Sequence, residues 1–320
     1  PILFGRTFFP RVVEELVFIA RFQDYKAQGQ DSIQQAEAAT ARIAKSLDKL
    51  NGANVYLIFV ESYGHTVFAD PRHFSMIEPV LKQVEQTLTT HGFVYSSHFM
   101  TSATYGGASW LAHGTIATGV RTYDQTQFNL VLDSDITPLP AYFNEAGYRT
   151  ISVMPNTTMP WLEGEFFKYQ KHYYTLDFEY KGPSYGWSTM PDQFVLDYIF
   201  RREIQPRTQP LFIEYILISS HAPFHMQPPY LEEWSQVGDG SVYHEKDPIT
   251  FPIVWPDLTN ATEAYMTALM YDLRVLESYL AQFIDDNALI ILLGDHQPNV
   301  QITGKNSLWS VPIHIISRNP

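Results

Sequence analysis

The sequence predicts an α/β fold in which a mostly parallel central sheet lies between layers of helices. Two observations indicate this fold. Short runs of apolar and β-branched residues alternate along the chain with amphipathic segments of helical length. One such run, Asn54–Val60, is apolar at successive positions, which is typical of a parallel strand that helices cover on both faces. Alternation of this kind, without internal repeats, favours one large core.

The first half of the chain begins with a segment of helical period. In Arg11–Leu50, apolar side chains recur at helical spacing among many Ala, Gln and Glu residues, which predicts one or two helices before Asn51-Gly52. After the strand Asn54–Val60, an amphipathic pattern predicts a helix at Phe74–Thr90. Shorter runs between turn residues then predict a strand at Phe93–Phe99, helices at Ser109–Ala117 and Leu139–Ala146, and a strand at Tyr148–Met154.

The second half contains two long segments without a clear period. Pro155–Gln193 is rich in aromatic residues and Met226–Pro256 is rich in proline. Irregular segments of this length in a compact domain usually carry function. Around them, the hydrophobic pattern predicts helices at Pro191–Arg202 and Asn260–Asp286, and strands at Leu211–Ile218, Ala288–Leu293 and Val311–Ile316.

The composition excludes several classes of function. The 320 residues include 34 Asp and Glu against 21 Lys and Arg, and the net charge of −13 makes nucleic-acid binding unexpected. The absence of cysteine excludes disulfides, thiolate nucleophiles and zinc–thiolate sites. No apolar run reaches the roughly 18 residues of a membrane span. Because the chain begins at Pro1 without an initiator Met, we expect a processed product or a piece of a longer protein.

Polar residues follow three of the predicted strands at the point where each ends. Glu61 follows the first strand, His221 comes shortly after the fourth, and Asp295 and His296 follow the fifth. Because α/β sheets bind ligands at the carboxyl ends of their strands, we expect these side chains to converge. Two carboxylates and an imidazole suit Mn²⁺, Mg²⁺ or Zn²⁺. For each residue alone, the alternative is a polar strand end that reaches solvent.

A serine follows a glycine-rich turn at the start of a predicted helix. Gly106 and Gly107 let the backbone approach a ligand closely, and Ser109 then begins the helix. A hydroxyl at this end of the helix dipole lies where an anion or a developing alkoxide is favoured, so Ser109 is a candidate nucleophile. The alternative is a structural helix cap. His113, four residues later, shares a helix face with Ser109.

Together these motifs resemble the sulfatase-like branch of the alkaline phosphatase superfamily, especially lipoteichoic acid synthase and related phosphoglycerol or phosphoethanolamine transferases. The motifs are Val60–Gly64, the Ser109 helix ending at Thr118-Gly119, Ser220–Phe224 and Leu293–Gln297, in that order. The resemblance implies an alkaline phosphatase/sulfatase-like fold, with residues 51–320 as the catalytic domain. Residues 1–50 would then be a helical lead-in, compatible with a linker from a missing membrane anchor.

The resemblance also implies a ligand set and a chemistry. One divalent metal, usually Mn²⁺ with Mg²⁺ or Zn²⁺ as alternatives, would be held by Glu61, Ser109, Asp295 and His296. Ser109 would form a covalent phospho-enzyme. The side chains expected to contact the substrate are His221, which could also assist the leaving group, and Trp161, His113 and His225.

Some positions depart from the family patterns. Sulfatases that form formylglycine carry Pro two residues and Arg four residues after the modified residue, whereas Leu111 and His113 stand there in this chain. Serine phosphoryl chemistry is therefore favoured over sulfate-ester hydrolysis. In the lipoteichoic acid enzymes the nucleophile is Thr, and an Arg stands where this chain has Glu163. Because a carboxylate repels phosphate, we expect another cation or a different headgroup.

The expected function is a metal-dependent phosphoryl transferase or phosphodiester hydrolase acting on a phosphodiester or other ester substrate, such as a lipid or glycan headgroup. The alternatives are a sulfatase and a non-catalytic metal-containing protein that binds glycans or lipids. Proteins of the families that this sequence resembles lie outside the cytoplasm. We therefore expect the same location for this protein, with a missing N-terminal segment as its membrane anchor. Neither donor nor acceptor can be read from the sequence.

Overall fold

The computed structural model describes residues 24–40 and 47–319. Its strands are β1 (Asn54–Val60), β2 (Val94–Thr101), β3 (Arg149–Met154), β4 (Lys171–Tyr174), β5 (Leu211–Leu217), β6 (Met226–Gln227), β7 (Ile249–Thr250), β8 (Ala288–Gly294) and β9 (Ser310–Ser317). Its α-helices are α1 (residues 24–40), α2 (Thr66–Ala69), α3 (Pro71–Thr90), α4 (Ser109–Thr118), α5 (Gln125–Leu132), α6 (Leu139–Glu145), α7 (Asp192–Ile199), α8 (Thr262–Phe283) and α9 (Val300–Thr303).

Seven of these strands form one mixed sheet in the order β2-β9-β8-β1-β5-β3-β4. The five strands from β8 to β4 are parallel to one another. At the other edge, β9 is antiparallel to both β8 and β2, so β2 runs in the same direction as the parallel strands. The mostly parallel sheet predicted from the sequence is confirmed.

The central strand β1 is apolar after its first residue, Asn54, because both of its faces are covered. All seven of its residues are buried. Tyr56, Ile58 and Val60 face a core that includes side chains of α3, α7 and α8, while alternate residues face a second core with side chains of α4 and α6. Because successive side chains point to opposite faces of the sheet, β1 contributes residues to both apolar cores.

The segments expected to be irregular contain some regular structure. The edge strand β4 lies within Pro155–Gln193, and the hairpin of β6 and β7 lies within Met226–Pro256. A strand as short as β4 has no clear period of its own, and pairing with β3 supplies its hydrogen bonds. Helix α5, which the sequence analysis did not predict, begins after Asp124, whose carboxylate accepts from the backbone N–H of Gln127.

Part of the predicted N-terminal helix is confirmed. Helix α1 packs through the buried Ile33 against a cluster that includes Val120 and Val131, and the Tyr25 hydroxyl donates to Asp124. Asp48–Leu50 form a single 3₁₀ turn, and the rest of Arg11–Leu50 lies outside the described residues. None of the helices in the ranges described above combines the length and the hydropathy that a bilayer span requires.

Candidate metal centre and nucleophile

The ends of β1 and β8 bring two acidic residues together. These strands are neighbours, and Val60 pairs with Gly294 in their parallel register. Glu61 and Asp295, the next residues of the two strands, are therefore adjacent, and both are buried. A Cβ on Gly294 would lie 1.9 Å from the carbonyl oxygen of Tyr63, so only glycine permits this approach of the two loops.

Backbone N–H groups fix the Asp295 carboxylate. Its Oδ1 accepts from the N–H of Ser62 at 2.8 Å and from the N–H of His296 at 2.6 Å. Ser62 donates its N–H from a left-handed conformation with φ of 58°, which costs free energy in a residue other than glycine. Its hydroxyl also donates to Glu61 Oε1 at 3.0 Å. Ser62 therefore holds both carboxylates, a role that the sequence analysis missed.

The imidazole of His296 points its free electron pair into the site. Its Nδ1 lies 2.7 Å from the carbonyl oxygen of Gln297, an atom that can only accept, so Nδ1 carries the proton. Nε2 then lies 3.3 Å from Glu61 Oε1 and 3.6 Å from Asp295 Oδ2. A hydrogen bond of this kind to the second ring nitrogen is the usual way in which a metal-ligating histidine is oriented.

The glycine-rich turn places Ser109 against this group. Gly106, Gly107 and Ala108 all have φ in the left-handed region, and Ser109 follows as the first residue of α4. Ser109 Oγ lies 3.1 Å from Glu61 Oε2 and 3.1 Å from His296 Nε2. The structure thus brings together the four residues expected as metal ligands, from three separate parts of the chain.

The chemistry of these side chains fits a divalent cation. The ligand atoms of Glu61, Asp295 and His296 lie within 4.8 Å of one another. Burial, and then the charge of Glu61, raises the pKa of Asp295 to about 6. Burial lowers the pKa of His296, but the charges of Asp295 and Glu61 outweigh burial and raise it overall. Buried electron pairs that converge in this way require a proton or a cation between them, and oxygen and nitrogen donors suit Mn²⁺, Mg²⁺ or Zn²⁺.

This geometry can be compared with known proteins. A sequence model of the family named Sulfatase matches residues 53–313. The chain belongs to the sulfatase family. No curated protein matches this sulfatase-family chain by sequence.

Solved structures agree on the fold. Lipoteichoic acid synthase LtaP from Listeria monocytogenes has 16% identity and a TM-score of 0.57, over 82% of this chain and 65% of that chain. The C-terminal periplasmic domain of EcEptC from Escherichia coli, in complex with Zn, has 16% identity and a TM-score of 0.54, over 83% and 72%. Streptococcus pyogenes phosphoglycerol transferase GacH, in complex with sn-glycerol-1-phosphate, has 13% identity and a TM-score of 0.52, over 89% and 75%. The alkaline phosphatase/sulfatase-like fold is confirmed, and this chain spans slightly less than two thirds of LtaP.

His221 lies near the candidate metal centre of this sulfatase-family chain. The charges of Asp295 and His296 both act on its pKa, which burial lowers overall, so the imidazole is neutral at neutral pH. Its Nδ1 lies 2.5 Å from the carbonyl oxygen of Ala222, which leaves Nε2 able to accept a proton. The exposed ring of Trp187 stacks on His221 at 5.1 Å between centroids, a contact that the sequence analysis did not identify.

The other expected substrate contacts lie in more apolar surroundings. His113 is buried 4.3 Å from the Phe59 ring, its Nε2 has no hydrogen-bond partner among the described residues, and burial lowers its pKa to about 4. His225 is partly buried, and its Nδ1 also lacks a partner in the described part of the chain. Trp161 is half-buried and stacks on Phe167 at 5.2 Å. Their roles in substrate binding stay predictions.

A second buried pair of carboxylates lies behind the site. Asp192, at the start of α7, accepts from the N–H groups of Ile218 and Ser219 at the end of β5. Asp272 of α8 is buried beside it, and neither of its oxygens has a partner with good hydrogen-bond geometry among the described residues. Burial, and then the charge of Asp192, raises the pKa of Asp272 well above its ordinary value, so Asp272 is protonated.

This pair gives a stability prediction. Asp272→Asn is expected to raise the midpoint temperature of unfolding at neutral pH by on the order of a few degrees. In the wild-type chain the unfolded state ionises Asp272 above about pH 4, whereas the folded state does not, so stability falls as the pH rises above that value. The amide removes this loss, and the two midpoints should converge toward about pH 4.

Circular dichroism melts across this pH range provide the measurement. The exposed Asp286 offers a matched control, because Asp286→Asn should follow the wild-type curve. A midpoint for Asp272→Asn below that of the wild-type chain at neutral pH would contradict the protonated state.

Proposed function

We propose that this protein is a metal-dependent phosphoryl transferase or phosphodiesterase that acts through a phosphorylated Ser109. The observation that carries the proposal is the position of Ser109 Oγ, at a helix N-terminus and 3.1 Å from both Glu61 and His296. A serine that only capped the helix would bond to the backbone of α4, whereas Ser109 Oγ makes no such bond and contacts the buried side chains instead. The same geometry argues against a binding protein that has lost its nucleophile.

Glu61, Asp295, His296 and Ser109 would hold one divalent metal. When bound, the metal supplies positive charge that lowers the pKa of the serine hydroxyl and stabilises the charged oxygens around phosphorus. Sequence resemblance favours Mn²⁺, and the structural similarity to the zinc complex of the EcEptC domain makes Zn²⁺ an equal candidate to test.

In the first step, Ser109 Oγ attacks phosphorus, an O–P bond forms, and the bond from phosphorus to the leaving alcohol breaks. Ser109 donates its hydroxyl hydrogen to Glu61 Oε2, which gives the proton an acceptor as the attack proceeds. The N-terminal end of α4 favours the negative charge that develops there. In the second step, water or an acceptor alcohol attacks the phosphoserine, the bond from phosphorus to Oγ breaks, and Oγ recovers its proton from Glu61. Over the cycle, the alkoxide that leaves in the first step takes up one proton and the attacking hydroxyl releases one, so the protons balance.

His221 is proposed as the base of the second step. Because its pKa is lowered and its Nδ1 is bound to a carbonyl oxygen, Nε2 can take a proton from the attacking hydroxyl at neutral pH. The protonated imidazole can return that proton to a leaving group in the next cycle.

His221→Ala is therefore expected to lower kcat by roughly 10²-fold or more, because general base catalysis contributes about that factor. The metal content should stay that of the wild-type chain, since His221 is not a proposed ligand. Steady-state kinetics and elemental analysis of the purified variant measure both quantities. His225→Ala is the control, with a smaller effect on kcat, and an unchanged kcat in His221→Ala would remove His221 from the mechanism.

A lipid or glycan carrying a phosphoglycerol or phosphoethanolamine headgroup is the proposed substrate class. LtaP and GacH are described as a lipoteichoic acid synthase and a phosphoglycerol transferase, respectively, and the fold they share with this chain supports that class. We further infer that the protein acts outside the cytoplasm. The structurally similar EcEptC domain is periplasmic, which supports this location. Attachment to a membrane through an upstream segment belongs to the same proposal.

A panel of chromogenic esters tests the reaction class. The purified chain is assayed against a phosphodiester, a phosphomonoester and a sulfate ester, each with Mn²⁺, Mg²⁺ or Zn²⁺. We expect metal-dependent cleavage of the diester. Turnover confined to the sulfate ester would identify a sulfatase instead, and metal binding without turnover of any ester would favour a binding protein.

A further inference from the structure

Exposed apolar side chains lie near the candidate metal centre. They lie on segments next to the carboxyl ends of the parallel strands, and we call them the apolar rim: Trp110, Tyr123, Trp187, Val300, Leu308 and Trp309. Each is at least 45% exposed. Soluble proteins rarely leave large apolar side chains clustered in solvent without an interaction that covers them.

Specific contacts connect the apolar rim to three sides of the site. Trp110 follows Ser109, and its Nε1 donates to Gln125 at 3.1 Å. Trp187 stacks on His221. Trp309 lies 5.7 Å from the ring of Tyr105. Tyr105 pairs in turn with Gln297, the neighbour of His296, so each of these three tryptophans is linked to a residue of the site or to its neighbour.

The segments that carry the apolar rim contain no acidic residue. Residues 102–123, 182–191 and 296–317 contain only two basic residues, Arg121 and Lys305, in a chain whose net charge is −13. These segments therefore carry a small positive charge, which favours phosphate headgroups, while the acidic remainder of the chain is repelled from an anionic surface. This charge distribution would orient the site toward a membrane.

The chemistry of the apolar rim distinguishes a membrane from a glycan. Aromatic rings can stack on sugars, but Val300 and Leu308, which are 49% and 61% exposed, offer nothing to a sugar hydroxyl. Trp and Tyr accompanied by exposed aliphatic residues are typical of surfaces that enter the interfacial layer of a bilayer. We propose that the apolar rim docks on the membrane surface and presents a lipid headgroup to Ser109.

This inference rests on the proposed function for its choice of a lipid substrate, but its test does not need turnover. The Ser109→Ala chain is sedimented with vesicles of phosphatidylcholine and with vesicles that also contain phosphatidylglycerol. Tryptophan emission is recorded in parallel, with bromine-labelled lipids as quenchers. We expect binding to both vesicles, a blue-shifted emission, and quenching by the brominated lipids.

Two double variants locate the surface. Val300→Ser with Leu308→Ser removes two rim side chains and should weaken vesicle binding roughly tenfold, because less apolar area leaves water. Val94→Ser with Ile315→Ser removes side chains that are 48% and 40% exposed on β2 and β9, toward the end of the sheet opposite the site, and should leave binding within about twofold.

The outcomes separate this inference from the proposed function. Absence of binding to either vesicle, or equal losses in the two double variants, overturns docking through the rim. A shift of tryptophan emission on addition of a soluble polysaccharide, without binding to vesicles, overturns it in favour of a glycan surface. Normal vesicle binding together with failure of the wild-type chain to cleave any ester would support docking and refute the phosphoryl chemistry.

Discussion

Ser109→Ala is expected to lower the rate of phosphodiester cleavage by a factor on the order of 10⁴ or more, because removal of a nucleophile eliminates the covalent route. The alanine loses Oγ, the atom that lies 3.1 Å from both Glu61 and His296. Helix α4 should still form, since no side-chain hydrogen bond caps its start. The loss should therefore appear in kcat and not in the melting temperature.

Ser109→Thr is the matched variant for this prediction. Threonine keeps a hydroxyl at the first position of α4, so we expect it to retain a substantial part of the activity. Quenched-flow experiments with a phosphorus-labelled diester should trap labelled wild-type protein and no labelled Ser109→Ala protein. Cleavage by Ser109→Ala at more than about a tenth of the wild-type rate would sink the covalent mechanism.

The sequence predicted the parts of the site that lie at the ends of strong apolar strands. Glu61 and Asp295 were identifiable because they follow the long apolar runs of β1 and β8, and parallel strands of this kind end at one edge of the sheet. Ser109 was identifiable from the Gly106-Gly107 turn, since few other residues adopt the required backbone conformation. These predictions depended on where strands end and where the chain turns, and both are indicated by residues that are close together in the sequence.

Side-chain partners that come from distant parts of the chain were not predictable. Ser62 contacts Asp295 through its backbone N–H, a group that every residue except proline has. The identity of residue 62 therefore does not indicate this contact. Trp187 lies in an irregular segment, where nothing in the sequence specifies a stacking partner. Asp272, in contrast, could have been recognised from the sequence. It lies on the apolar face of α8 at helical spacing from Leu269 and Leu276, where an acidic residue is unexpected.

Replacement of Glu61, one of the proposed metal ligands, gives the second large effect. Glu61→Gln should abolish the stabilisation of the folded chain by Mn²⁺ or Zn²⁺. A cation at about 100 times its dissociation constant stabilises a protein by roughly 2.7 kcal/mol, which corresponds to a rise of about 4 °C for a chain of 320 residues. The amide keeps the shape of the side chain but loses the charge that a divalent cation requires.

The same substitution should act in the opposite direction when no metal is present. The carboxylates of Glu61 and Asp295 converge in a buried space, and the charge of Glu61 raises the pKa of Asp295, so neutralising Glu61 relieves the repulsion between them. We expect chelator-treated Glu61→Gln to melt above the chelator-treated wild-type chain. Glu78→Gln, at a partly exposed position of α3, is the control and should change neither melting curve. Opposite signs with and without metal would distinguish a true ligand from a residue that merely supports the fold, whereas a metal-dependent rise retained in Glu61→Gln would place the cation elsewhere.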